Sequence, residues 1–142
     1  MSAELEGLEP FLALSYQAES VALSWQKNDP LLKTATWTTW SEQTIGQRPA
    51  RPIRFAFNTS EKVELNTEYR LAPDSEFVRA MCIDAHASHD AFHHAIDGTI
   101  TFNSLPAKGS NKGTMTATFN FKGKQSNGYV VNVSNGQLCI EN

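Results

Sequence analysis

Apolar residues in the last third of the chain recur at every second position, and turn-forming residues punctuate them. In "GTITFNSL", Ile100 and Phe102 fall on one side and Thr99, Thr101 and Asn103 on the other. In "GTMTATFNF", Met115, Ala117, Phe119 and Phe121 oppose Thr116, Thr118 and Asn120. Period two with threonine on the polar side is the pattern of a half-buried strand. "PAKGSNKG" and "KGKQSNG" are the connectors between runs. "YVVNVSNGQLCIEN" reads as strand, turn and strand, because Asn135-Gly136 supplies the positive φ values of a type I′ hairpin. By the same logic Asp97-Gly98 is a hairpin turn between "FHHAI" and "TITF".

Upstream, "RPIRFAFNTS" alternates Ile53, Phe55 and Phe57 with Arg54, Ala56 and Asn58. "VELNTEYRLA" and "EFVRAMCIDA" are shorter strand candidates, and Pro49 and Pro52 mark an extended connector or an edge. The opening segment supports two patterns. Phe11, Leu14, Ala18, Val21, Ala22 and Trp25 lie on one helical stripe, with Pro10 in the first turn and Asn28-Asp29-Pro30 as a stop. Val21, Leu23 and Trp25 also alternate as in a strand, but the stripe predicts an N-terminal helix. The expected architecture is all-β: one antiparallel β-sandwich domain over residues 1–142, with residues 1–30 as a candidate helical extension. Phe55, Phe57, Ile100, Phe102, Phe119, Phe121 and Val131 are its expected inward-facing core.

A chain of 142 residues is long enough to bury about 70% of its unfolded surface in one core. Disulfides and metals are not needed to fold it. Hydrophobic residues make up 40% and charged residues 19%, which describes a globular rather than a disordered chain. A net charge of -3 with scattered basic residues argues against a nucleic-acid partner. No apolar run reaches transmembrane length, the longest candidate being "FLAL" at Phe11 to Leu14. "MSAELEGLEP" lacks the basic and apolar regions of a signal peptide, so it reads as a cytoplasmic start or as a mature segment behind a new Met1. Cys82 and Cys139 do not form a CxxC pair and are either two thiols or one disulfide. "NTS" at Asn58 and "NVS" at Asn132 match the glycosylation acceptor, a pattern short enough to arise by chance.

The order "GTITF", "KGTMTATFNF" and "GYVVNVSNGQL" resembles the C-terminal half of small bacterial surface lipoprotein-type β-sandwich domains of unknown function. "LNTEYRL" at Leu65 to Leu71 is similar to the strand that precedes them in that family. The resemblance covers the C-terminal part of the chain and rests mainly on hairpin grammar. The chain departs from it in lacking a lipoprotein signal, in carrying Met115 where the family prefers Phe, and in its first thirty or so residues. The resemblance implies a fold and an exported or surface setting, and it implies no site.

"DAHASHDAFHHAIDG" holds all four histidines: His86, His89, His93 and His94. As a helix it would align His86, His89 and His93 for a metal, with Asp90 and Asp97 beside them. As strands it sends His93 and His94 to opposite faces, which leaves His86 and His89 with Asp84 or Asp90 as the candidate ligands. The strand reading is preferred, so no bound metal or other cofactor is expected and the imidazoles should titrate near about 6.5. No nucleophile elbow, HExxH, P-loop or dinucleotide-binding pattern occurs, so the chain reads as a non-enzyme. Cys82 sits in an apolar strand pattern where an inert thiol is expected rather than a nucleophile. "TATWTTWSE" sets Trp37 and Trp40 on opposite faces of a strand, where an exposed ring could stack on a sugar. The reading is a non-catalytic interaction module with an unidentified protein or glycan partner. Its alternatives are a carbohydrate-binding module using Trp37 and Trp40, and a metal-binding protein using His86, His89 and His93.

Overall fold

The computed structural model describes residues 1–8, 13–46, 50–86 and 89–142, and for residues 86, 89 and 90 the backbone alone. Ten strands follow one another: β1 (Ser2–Glu6), β2 (Ala13–Gln17), β3 (Ser20–Gln26), β4 (Thr36–Ile45), β5 (Arg51–Ser60), β6 (Glu68–Arg70), β7 (Val78–His86), β8 (His89–Ser104), β9 (Thr114–Lys124) and β10 (Val130–Glu141). All pair antiparallel in one sheet of order β2-β1-β10-β9-β8-β7-β5-β4-β3, with β6 added to β8. The architecture is all-β, as the alternation predicts, but it is one curled sheet rather than the two facing sheets of a sandwich.

The two ends of that sheet are β2 and β3, which are consecutive in the chain. Residues 13–26 behave as one strand bent at Ala18-Glu19, its first half paired with β1 and its second with β4. Glu19 N donates to Glu42 O at 2.8 Å and Ala18 N to Met1 O at 2.9 Å, which holds the bend between both ends. The expected N-terminal helix is therefore corrected to two strands; Pro10 and Phe11 lie outside the described residues. The reason is a shift of parity. Leu14, Tyr16 and Ala18 alternate on even positions, and Val21, Leu23 and Trp25 on odd ones. A period-two pattern broken once leaves gaps of three and four, which imitate a helical stripe.

The same arithmetic corrects both expected hairpins. Strand β8 runs straight through Asp97-Gly98, and β10 through Asn135-Gly136. Each dipeptide sits at a β-bulge opposite β9, where the register shifts between Ala95 and Asp97 and between Val133 and Gly136. Asn135 takes φ 51° and Gly98 φ 153°, so the positive backbone angles are realised, but within a strand. A Cβ on Gly98 would lie 2.2 Å from Asn120 O, and one on Gly136 would lie 2.3 Å from the Phe119 ring. Both glycines thus let β9 approach closely while the sheet curls.

The inside of the curl is the core, and it contains every residue expected there: Phe55, Phe57, Ile100, Phe102, Phe119, Phe121 and Val131 are all buried. Phe57 meets Phe119 edge-on at 4.9 Å, and Tyr16 of β2 meets Phe55 of β5 in the same way at 4.9 Å. Tyr16 Oη donates to Ser41 Oγ at 3.0 Å. Burial raises the Tyr16 hydroxyl to about 12, which keeps it a neutral donor. No helix long and apolar enough to cross a membrane occurs among the described residues.

Candidate functional site

Strands β7 and β8 carry chemistry on both faces. Register pairs Cys82 with His93, Asp84 with Ala91, Ile83 with Phe92 and Met81 with His94. Cys82, Asp84 and His93 are buried on the inner side, where Asp84 lies opposite Ile53 and Cys82 opposite Phe55. Phe92 and His94 are exposed on the outer side. His93 and His94 thus diverge as the strand reading requires, although the Asp97-Gly98 turn offered as its reason is a bulge.

In the inner cluster the imidazole and the carboxylate are both partnered. His93 Nδ1 lies 3.3 Å from Cys82 O, and His93 Nε2 lies 2.8 Å from Gln125 Nε2. A carbonyl only accepts and an amide nitrogen only donates, so the partners select the neutral imidazole with its proton on Nδ1. Desolvation by burial lowers the His93 pKa below the ordinary 6.5. The expectation of an unperturbed imidazole is corrected at this position. Asp84 is held bidentately by Arg51, whose Nε donates to Oδ1 at 2.8 Å and whose Nη2 donates to Oδ2 at 2.5 Å. Burial pushes the Cys82 thiol above its ordinary range, and its carbonyl rather than its sulfur faces His93. Cys82 and Cys139 are both free thiols, the second exposed.

The candidate metal ligands are described only in part. His86 and His89 are backbone partners at the end of β7 and β8, and their side chains, like that of Asp90, lie outside the described residues. His93 has both ring nitrogens engaged, and Asp84 is committed to Arg51. Among the described residues no group of three or more His, Cys, Asp or Glu could hold an ion.

The two tryptophans part company. Trp37 is 1% exposed, and its Nε1 donates to Ser110 O at 2.8 Å, tying the β8–β9 connection to the core. It offers no face to a ligand. Trp40 is 39% exposed, with the Arg54 guanidinium 5.6 Å from its ring centre. Arg54 in turn pairs with Glu42 at 2.5 Å. Across the outer face Trp40 lies opposite Ala56, Ala56 opposite Met81, and Met81 opposite His94. The next row is Glu42, Arg54, Ile83 and Phe92, with Phe92 45% exposed and its ring stacked at 6.4 Å on His94.

An apolar groove of about 300 Å³ opens beside this row. Strand β7 pairs with β8 only from Met81 onward, whereas β6 takes Thr99–Thr101 of β8, so the sheet forks there. Ala72, Pro73, Met81 and Ala95 line the fork, with Leu31 and Ala56 at its flank. Arg79 and Asn58, opposite each other in register, supply its polar end. Sequence reasoning missed this pair, although the outward half of "RPIRFAFN" and "FVRAM" carries both residues. No family model, curated protein or solved structure matches the chain.

Proposed function

We propose that the protein is a non-catalytic binding module that docks a protein partner on the outer face of β4, β5, β7 and β8. The observation that carries this reading is the row Trp40, Ala56, Met81 and His94 with Phe92 beside it. Trp40 and Phe92 are left exposed within non-edge strands of the sheet, whereas the exposed rings of Phe77 and Tyr129 lie in connections between strands. An apolar patch rimmed by an ion pair has the composition of an interaction surface, and tryptophan is the residue type that most often anchors one. An exported or surface setting belongs to the same proposal and rests on the lipoprotein-type resemblance of the C-terminal strands.

A carbohydrate on Trp40 is the second reading, favoured by the Arg54–Glu42 pair beside the ring, since sugar sites join a flat apolar face to charged hydrogen-bonding groups. Capture from the source cell by wild-type protein and by a Trp40→Ser, Phe92→Ser double variant tests the first reading. The expected result is a protein retained by the wild type and lost with the variant. Equal retention by both would overturn the docking face. Quenching of tryptophan fluorescence by a glycan, abolished by Trp40→Ser, would favour the sugar.

A further inference from the structure

We infer that the groove at the β7–β8 fork binds a small free monocarboxylic acid, with its apolar body against Met81, Ala72 and Ala95 and its carboxylate on Arg79 and Asn58. The inference deepens the docking reading, because the groove opens on the same outer face. It rests on the donor inventory of the groove. Arg79 is a permanent cation. Its Nε donates to Ser75 O at 3.0 Å, which anchors the guanidinium where the groove meets the adjoining cavity that Arg79 also lines, with the Nη groups as its remaining donors. Asn58 Oδ1 already accepts from Thr38 Oγ1 at 3.2 Å, so the side of the amide left to the groove is its Nδ2 donor.

The two residues face each other across β5 and β7, and both line the groove. Apart from His94, the other side chains of the groove are apolar. Such a site selects an anion with an apolar body, and it disfavours a cation or a polyol. Carboxylates of the protein do not occupy the position. Asp74 and Glu76 line an adjoining cavity of about 320 Å³ with Lys33 and Lys62. Asp74 pairs with Arg70 at 3.5 Å, and among the described residues no acid reaches Arg79 within ion-pair distance. A volume of about 300 Å³ is at the small end of ligand sites and suits a short aliphatic or aromatic acid.

The test is a heteronuclear NMR titration of the whole chain with octanoate, with 1-octanol, and with an acetylated dipeptide ending in a leucine carboxylate. Octanoate is expected to shift Met81 and Ala95 resonances and to bind at least about tenfold more tightly than octanol, the difference set by a charge-assisted pair. Arg79→Gln should lower octanoate affinity about tenfold or more and leave octanol unchanged. Leu31→Asp, at an exposed flank position, should weaken octanoate more than octanol. Equal affinities for octanoate and octanol, shifts away from the fork, or tighter binding of the dipeptide would each overturn the assignment. The Trp40→Ser, Phe92→Ser variant replaces no residue that lines the groove and leaves Arg79 and Asn58 in place. Loss of a protein partner in that variant and loss of octanoate in Arg79→Gln therefore report separately on the two readings.

Discussion

Over residues 81–84 of β7 and 91–94 of β8, the inner and outer faces depart from the usual division of residues. Inside the curl lie a histidine, an aspartate and a thiol; outside lie the exposed Phe92, the half-buried Met81 and Ile83, which is itself buried. The inner carboxylate and imidazole are both matched: Asp84 by Arg51, His93 by the Cys82 carbonyl and Gln125. On the outer face Phe92 is nearly half exposed, and its described ring contact is with His94. The contrast separates two uses of residues that break the pattern. A buried polar group with all its partners supports the fold, whereas an exposed ring on a middle strand is surface available to another molecule.

The largest expected effect lies inside, where the apolar core is densest. Phe119 packs on Phe57 at 4.9 Å, on Phe55 at 6.2 Å and over Gly136, and it is 4% exposed. Phe119→Ala should cost about 3–5 kcal/mol on chemical denaturation. A loss below about 1 kcal/mol would mean that the ring does not fill the curl. Next in size is the ion pair. Asp84→Ala deprives the Arg51 guanidinium of its bidentate carboxylate in a site where both side chains are nearly buried, and should cost about 3 kcal/mol. The Arg51→Met, Asp84→Leu double variant should recover most of that loss, since an apolar pair of similar volume avoids desolvation. Failure to recover would assign the pair a role beyond charge matching.

These inner residues were more legible in the sequence than the topology was. Phe55, Phe119 and their neighbours follow from alternation alone, because a face that must be buried fixes the parity of its strand. The turns could not be read that way. In a two-residue hairpin the residues flanking the loop pair with each other, so inward positions change from odd to even across it. A one-residue bulge makes the same change: Val131 and Val133 point in before Asn135, and Leu138 and Ile140 after it. Asn-Gly satisfies the backbone of either, so local chemistry does not say whether the chain turns back or continues. The Ala18-Glu19 bend hid the N-terminal strands by the same device. The outer site was half legible: spacing puts Trp37 and Trp40 on opposite faces without saying which is exposed, and the Arg79–Asn58 pair depends on which strands become neighbours.

A smaller effect distinguishes a matched buried histidine from an exposed one. Burial lowers the His93 pKa in the folded protein, so the unfolded chain binds its proton first as pH falls. Stability from this group is complete above about pH 6.5 and is lost as pH falls from there toward the folded-state value, with a slope of at most about 1.4 kcal/mol per pH unit for one proton. Denaturation midpoints between pH 7.5 and 5 should therefore decline in the wild type and flatten in His93→Gln. An unchanged slope in the variant would place the titrating group elsewhere.

The smallest effect on stability is expected outside, and there the small size is itself the evidence. Full burial of a phenylalanine is worth about 1.5–3 kcal/mol, and Phe92 is 45% exposed. Phe92→Ser should thus cost about 1 kcal/mol or less, well under the loss at Phe119. If the ring belonged to the fold, removing it would rank with the inner aromatic residues. If it belongs to an interface, the fold should barely register its loss while partner capture falls, because a hot-spot ring acts mainly in the complex. The two faces are then distinguished by one pair of measurements on one variant. A loss of several kcal/mol at Phe92 would show that the outer ring supports the sheet, and the unusual division across β7 and β8 would be a feature of packing alone.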